Sequence, residues 1–170
     1  MTKKRQYLSA LLIIAITGIG FVTVSGSVFS GYHFMDCHGF TNIAWTVRET
    51  SWWESLKSFF LSESGRFRPG WCLYMHLVSC MPWGDNMLAQ GIVKILLNIL
   101  AAFILYVTGR NMKWPHRSSL LFAGLTVIGT QSAIFYQTVS QETTGLIFLS
   151  LSWLLLLKLV NRGGGDFIFV

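Results

Sequence analysis

Uncharged apolar runs divide the chain into segments long enough to cross a lipid bilayer. Residues 7–29 contain no charged side chain, and at about 1.5 Å of rise per residue they exceed the ~30 Å thickness of the hydrocarbon core. Further apolar runs cover residues 88–107, 119–139 and 143–160. The pattern predicts an all-α membrane protein with about four transmembrane helices, in which residues 1–170 form a single membrane domain.

The first apolar run follows three basic residues, Lys3, Lys4 and Arg5. A basic start before an apolar run is typical both of a cleaved signal peptide and of a retained signal-anchor. Because the run is long for a signal peptide and further apolar runs follow, we expect a retained anchor.

The first connection, residues 30–87, is much longer than the others and has a helical pattern of its own. Ser51 and Glu54 have the spacing of a capping box, and a helix over Trp45–Phe60 would be amphipathic. Its tryptophans suit the headgroup layer, although the same face could pack on the protein. Residues 71–83 are apolar but too short to span, which predicts a re-entrant or packed helix. On the amphipathic helix the predicted apolar side consists of Trp45, Trp52, Leu56, Phe59 and Phe60, and the polar side of Thr50, Ser51, Glu54, Lys57 and Ser58.

Lysine and arginine positions predict the orientation of the spans. With the N-terminus in the cytoplasm, the inner side carries Lys3, Lys4, Arg5, Arg110, Lys113, Arg117, Lys158 and Arg162, and the outer side carries Arg48, Lys57, Arg66 and Arg68. The larger group lies inside, so we expect residues 30–87 to be extracytoplasmic. We expect the protein to reside in a bacterial inner (plasma) membrane.

The composition narrows the class of protein further. Charged residues make up 12% of the chain, about half the usual share of a globular domain, and mean hydropathy is +0.53. The basic residues behind the net charge of +6 lie at the ends of apolar runs. They form no patch interleaved with exposed aromatics, so we expect the lipid bilayer as a partner and no nucleic acid.

The segment after the first run places one carboxylate, Asp36, between His33 and His38. Two imidazoles and a carboxylate are donor types for a divalent cation such as iron, manganese or zinc. The spacing fits no established metal signature. A second interpretation is a solvated loop without a chemical role, because outward-facing loops often contain histidine. An aspartate that acts as an acid–base or substrate-orienting group is the third interpretation, and we favour it.

Further polar residues lie at the predicted outer boundary of the membrane. Arg66 and Arg68 flank an aromatic residue before a proline, so they could grip a phosphate, neutralise lipid headgroups or pair with an acid. Glu142 lies in the turn between the third and fourth runs. Lys94 lies inside the second run, where we expect its side chain to snorkel outward; Asn98, one turn deeper on the same face, favours a polar cavity instead.

Taken in order, these elements resemble the N-terminal part of the GT-C-type integral membrane glycosyltransferases, which use polyprenyl- or dolichyl-phosphate-linked sugars. The resemblance rests on the basic start and first span, followed by FMDCHGF, SWWESLKSFF, SGRFRP and SQETTG. It covers nearly all of the chain, and each motif is short.

The resemblance implies roles for the polar residues. Asp36 would be the catalytic carboxylate of the first external loop, and Glu142 a second catalytic acid. Arg66, Arg68 and Lys94 would bind the phosphate of a polyprenyl-phosphate-linked sugar donor, with His38 also in the substrate site.

The chain departs from the family pattern in two ways. Met35 and Cys37 flank Asp36, where many relatives have a second acid, and the family has more spans than the number predicted here. The tail also opens a new apolar run, so we expect an N-terminal portion of such an enzyme. The alternative is a non-catalytic small multi-span membrane protein, an assembly partner or a truncated remnant.

Overall fold

The computed structural model describes residues 3–25, 34–62, 69–81, 86–128 and 141–162. These residues form helices and their connections, with no strand among them. In chain order the helices are α1 (Lys3–Ser25), α2 (Phe34–Glu49), α3 (Trp52–Ser62), α4 (Pro69–Ser79), α5 (Met87–Asn111), α6 (His116–Ile128) and α7 (Gln141–Arg162).

Two of these helices are long and apolar enough to cross a membrane. The first covers 22 residues, Lys3–Val24, and the second 24 residues, Leu88–Asn111. At about 1.5 Å per residue each exceeds the ~30 Å hydrocarbon core. They include most of the predicted runs 7–29 and 88–107, although residues 26–29 lie outside the described part.

The predicted third span is described only in part, whereas the predicted fourth, residues 143–160, lies within α7. Helix α6 ends at Ile128, and residues 129–139 of the predicted third run lie outside the description. In α7 the apolar part, Gly145–Val160, is shorter than the two candidate spans. The arrangement of four spans therefore stays a prediction.

Helix α5 is the centre of the packing, because α1, α6 and α7 all contact it. Small side chains on α1, α5 and α6 let the helices approach closely, and larger aliphatic and aromatic groups fill the space between them. The buried core of this group consists of Ala10, Ile14, Ile99, Ala102, Tyr106, Ala123 and Val127.

Polar contacts fasten the start of α1 to the connection between α5 and α6. The hydroxyl of Tyr106 lies 2.9 Å from Nδ1 of His116. Arg110 donates from Nη2 to Oε1 of Gln6 at 3.2 Å and from Nη1 to the carbonyl of Trp114 at 2.6 Å. The N-terminus of α1 therefore lies at the same end as the C-terminus of α5 and the start of α6.

Helices α2, α3 and α4 pack on one another and form a second group, which α4 joins to α7. Ile43 of α2 and Met75 of α4 are buried at its centre, with Val47, Phe59 and Tyr74 packed around them. The predicted apolar helix over residues 71–83 corresponds to α4, which begins earlier, at Pro69, and ends at Ser79.

The single amphipathic helix predicted over Trp45–Phe60 is wrong, because the chain breaks between α2 and α3 at Thr50 and Ser51. The hydroxyl of Ser51 accepts a hydrogen bond from the backbone N–H of Glu54 at 3.2 Å, so the predicted N-cap is confirmed. Such a side-chain bond offers the backbone an alternative to continuing the preceding helix.

Because of this break, the residues of the predicted apolar face lie on two different helices. Leu56 is buried on α3, whereas Trp45 lies on α2 and is 60% exposed. Trp53, outside the predicted apolar face, is 66% exposed. Indole rings exposed on neighbouring helices suit the headgroup layer of a membrane, while the other faces of α2 and α3 pack on the protein.

Candidate functional site

The predicted site residues lie on four separate parts of the chain, one of which is α5 with Lys94. Asp36 and His38 lie in the first two turns of α2, and Glu142 lies in the first turn of α7. The side chains of these three residues are outside the described part of the structure. Arg66 and Arg68, between α3 and α4, lie outside it entirely. The distances that would join them into one site therefore stay untested.

Lys94 is described in full, and its side chain is completely buried, with 0% exposure. The expectation that it snorkels outward is wrong. Its Nζ lies 4.9 Å from the centroid of the Tyr74 ring, which reaches it from α4. A desolvated cation–π contact of this kind contributes about 2 kcal/mol. The packing of α4 against this part of α5 thus gives the ammonium group a partner inside the protein.

Lys94 belongs to a buried polar stripe on α5. Gln90, Lys94 and Asn98 follow one another at intervals of four residues, which places them on one face of a helix, and Gln90 and Asn98 are 1% and 4% exposed. A buried polar stripe in an otherwise apolar helix of spanning length is costly, and such stripes typically mark functional interiors. Asn98 is thus buried on the same face as Lys94, while the polar cavity that these residues predict stays a prediction.

Tyr74 is neutral where it meets Lys94. Burial raises the pKa of its hydroxyl group above the ordinary value for tyrosine. The ring therefore acts on the ammonium through its π electrons, and it does not supply a phenolate counter-ion. The ring of Tyr74 and the ammonium of Lys94 therefore interact as a cation–π pair.

A second buried polar contact lies on the other side of α4. Nε2 of His76, a residue with 0% exposure, is 3.2 Å from Oγ of Ser55 on α3. The rings of Trp52 and Phe59 meet the imidazole edge-on, with centroids 6.4 Å and 5.5 Å away. This contact holds α3 against α4.

Sequence reasoning missed both Gln90 and His76. The spacing of four residues that links Gln90 to Lys94 and Asn98 could have identified the whole stripe. His76 interrupts an apolar run, two residues after Tyr74, and a histidine in such a run needs a polar partner when it is buried. The identity of that partner depends on how α3 packs on α4, which no local pattern reveals.

No group of three or more His, Cys, Asp and Glu side chains that could hold a metal occurs within the described residues. His33 and the side chains of Asp36 and His38 lie outside that description. The divalent cation considered for this segment therefore stays untested.

The described residues define an all-helical chain with two helices long and apolar enough to cross a membrane. One of these helices carries a buried lysine. Comparisons with protein-family profiles, curated proteins and solved structures found no significant match for this chain.

Proposed function

We propose that the chain is the N-terminal part of a membrane-embedded glycosyltransferase, which moves a sugar from a polyprenyl-phosphate donor to an extracytoplasmic acceptor. The observation that carries the proposal is the burial of Lys94 in the polar stripe of α5. An ionisable residue held inside a helix of spanning length is costly and is typically retained for function. In this proposal the charge of Lys94 acts on the donor phosphate through the protein interior, because the ammonium itself is fully buried.

The proposed reaction is a displacement at the anomeric carbon of the donor sugar. The acceptor hydroxyl loses its proton to the carboxylate of Asp36 and forms the new glycosidic bond. The bond from the anomeric carbon to the phosphate oxygen breaks, and its electron pair leaves with the polyprenyl phosphate. Lys94, Arg66 and Arg68 stabilise the charge that develops on that phosphate.

The remaining site residues have supporting roles in this proposal. His38, two residues after Asp36 on α2, lines the substrate site, and Glu142 supplies a second carboxylate from the start of α7. The contact between α4 and α7 supports a groove to which both helical groups contribute. The active site faces the extracytoplasmic side, and the N-terminus lies in the cytoplasm of a bacterium.

The alternative function is that of a non-catalytic small multi-span membrane protein. The observation that favours it is that the ammonium of Lys94 already has a partner in the ring of Tyr74. A cation satisfied within the protein could serve only to align α4 with α5. On this account Asp36, Arg66 and Arg68 could all be replaced without loss of function.

A transfer assay tests the proposal. The full-length enzyme, of which this chain is proposed to be the N-terminal part, is reconstituted in proteoliposomes with polyprenyl-phosphate-linked mannose, glucose or aminoarabinose, and release of polyprenyl phosphate is measured. With the donor that the protein uses, Asp36→Asn should lower the rate by about 10²–10⁴-fold, because the general base is removed. Glu49→Gln, a change of an exposed acid at the other end of α2, is the matched control and should leave the rate unchanged.

Two outcomes would contradict the proposal. Transfer by Asp36→Asn at the rate of the unsubstituted protein would remove Asp36 from the base role. Absence of transfer from every donor, with the protein inserted and folded, would favour the non-catalytic alternative.

A further inference from the structure

We infer that a groove between α1 and α6 holds the acyl chain of an anionic phospholipid. The groove has a volume of about 300 Å³ and a mostly apolar lining, with Ile13 and Ile14 on the α1 side and Leu121 and Leu125 on the α6 side. Arg117 is its one charged lining residue. This inference rests on the membrane placement of the helices and is independent of sugar transfer.

The length of the groove matches one leaflet of a bilayer. Its lining on α6 extends from Arg117, in the first turn, to Ile128, the last residue of the helix. That stretch of α6 rises about 16 Å, and half of the hydrocarbon core is about 15 Å. An acyl chain lying along the groove would therefore place its headgroup beside Arg117.

The charge at that end favours an anionic headgroup. Arg117 is exposed, and so are Lys113 and the basic residues at the start of α1, Lys3, Lys4 and Arg5. Residues 3–25 and 86–128, which contain α1, α5 and α6, include no aspartate or glutamate. These helices therefore offer Arg117 no carboxylate, and a lipid phosphate supplies the acceptor that a guanidinium prefers.

The groove has open space where a chain would lie. A Cβ atom added at Gly124, which lines the groove, would meet no atom within 4 Å. Leu121 and Leu125 are 67% and 62% exposed beside it. A second copy of the chain is a poorer occupant: two grooves facing each other across a two-fold axis along the membrane normal would bring two Arg117 side chains together.

Native mass spectrometry of the full chain from a non-ionic detergent tests this inference, with phosphatidylglycerol and phosphatidylcholine of the same acyl chains as probes. The unsubstituted protein should bind phosphatidylglycerol more tightly. Gly124→Leu should fill the groove and weaken binding, by about fourfold for each lipid methylene that loses its contact. Gly124→Ala should weaken it less. Gly145→Leu on α7, where an added Cβ also meets nothing within 4 Å, should bind like the unsubstituted protein.

The headgroup is tested separately. Arg117→Gln should reduce the affinity for phosphatidylglycerol to that for phosphatidylcholine, whereas Lys4→Gln, which removes an exposed charge from the same end, should keep the preference. Unchanged lipid affinity in Gly124→Leu, or a retained preference in Arg117→Gln, would overturn the inference. A dimer that is lost in Gly124→Leu, with lipid affinity unchanged, would assign the groove to a second copy. Thermal unfolding in the same detergent confirms that each variant is folded.

Discussion

At the residue scale, the burial of Lys94 is costly, and its contact with Tyr74 offsets part of that cost. Removing an ammonium group from water costs several kcal/mol, and Lys94 is fully buried. The Tyr74 ring, 4.9 Å from Nζ, recovers about 2 kcal/mol of that cost. The packing of α4 against α5 therefore depends on the charge of Lys94.

Replacement of the ring should show this coupling directly. Tyr74→Leu removes the π face and should lower the free energy of unfolding by about 2 kcal/mol. Tyr74→Phe keeps the ring above the ammonium and should lower it by less than about 1 kcal/mol. Thermal unfolding in detergent micelles measures both. Equal losses in the two variants would show that the ring does not stabilise Lys94.

The sequence predicts which residues are chemically unusual, but it does not predict which side chains contact them. Lys94 stands out as a cation within an apolar run, but its burial depends on Tyr74, which is distant in sequence. His76 and Ser55 form a buried pair that is visible only once α3 lies on α4. Partners on different helices are set by tertiary packing, and no local pattern specifies them.

At the element scale, the end of α5 has a well-defined backbone motif. The N–H of Trp114 donates to the carbonyl of Gly109 at 3.0 Å, and the N–H of Lys113 donates to that of Arg110 at 3.2 Å. Lys113 has a φ of 63°. These are the two hydrogen bonds of a Schellman motif, with lysine at the left-handed position that glycine usually occupies.

Substitution of that residue should stabilise the protein. Lys113→Gly relieves the left-handed strain of a side-chain-bearing residue and should raise the free energy of unfolding by about 1 kcal/mol. Met112→Gly is the control, because Met112 has a φ of −78° and is not in the left-handed region. Its free energy of unfolding should fall by roughly 0.5–1 kcal/mol. Chemical denaturation in micelles compares the two. A loss of stability in Lys113→Gly would contradict the strain argument.

Element boundaries were predicted well where a local side chain sets them. The spacing of Ser51 and Glu54 predicts a helix capped by Ser51, and α3 has this cap. Apolar periodicity predicts one helix from Trp45 onward, because the periodicity continues across the cap. A capping signal competes with periodicity, and at this position the cap determined the structure.

At the scale of the whole molecule, six of the described helices pack into two groups. Helices α1, α5 and α6 form a group with a basic end, where the hydroxyl of Tyr106 hydrogen bonds with His116 and with the carbonyl of Gln6. Arg110 donates to the side chain of Gln6 at the same end. Helices α2, α3 and α4 form the other group, and Lys94 of α5 meets it through Tyr74. The apolar runs predicted the two long helices, whereas this grouping depends on contacts between distant segments.

The proposed function requires that the segments of Asp36 and Glu142 face one extracytoplasmic groove. Fusion of alkaline phosphatase or green fluorescent protein after Thr50, Lys113 and Gln141 tests it most directly. The account predicts active phosphatase after Thr50 and Gln141, and fluorescence after Lys113. Phosphatase activity at only one of Thr50 and Gln141 would place the two segments on opposite sides and contradict a shared active site.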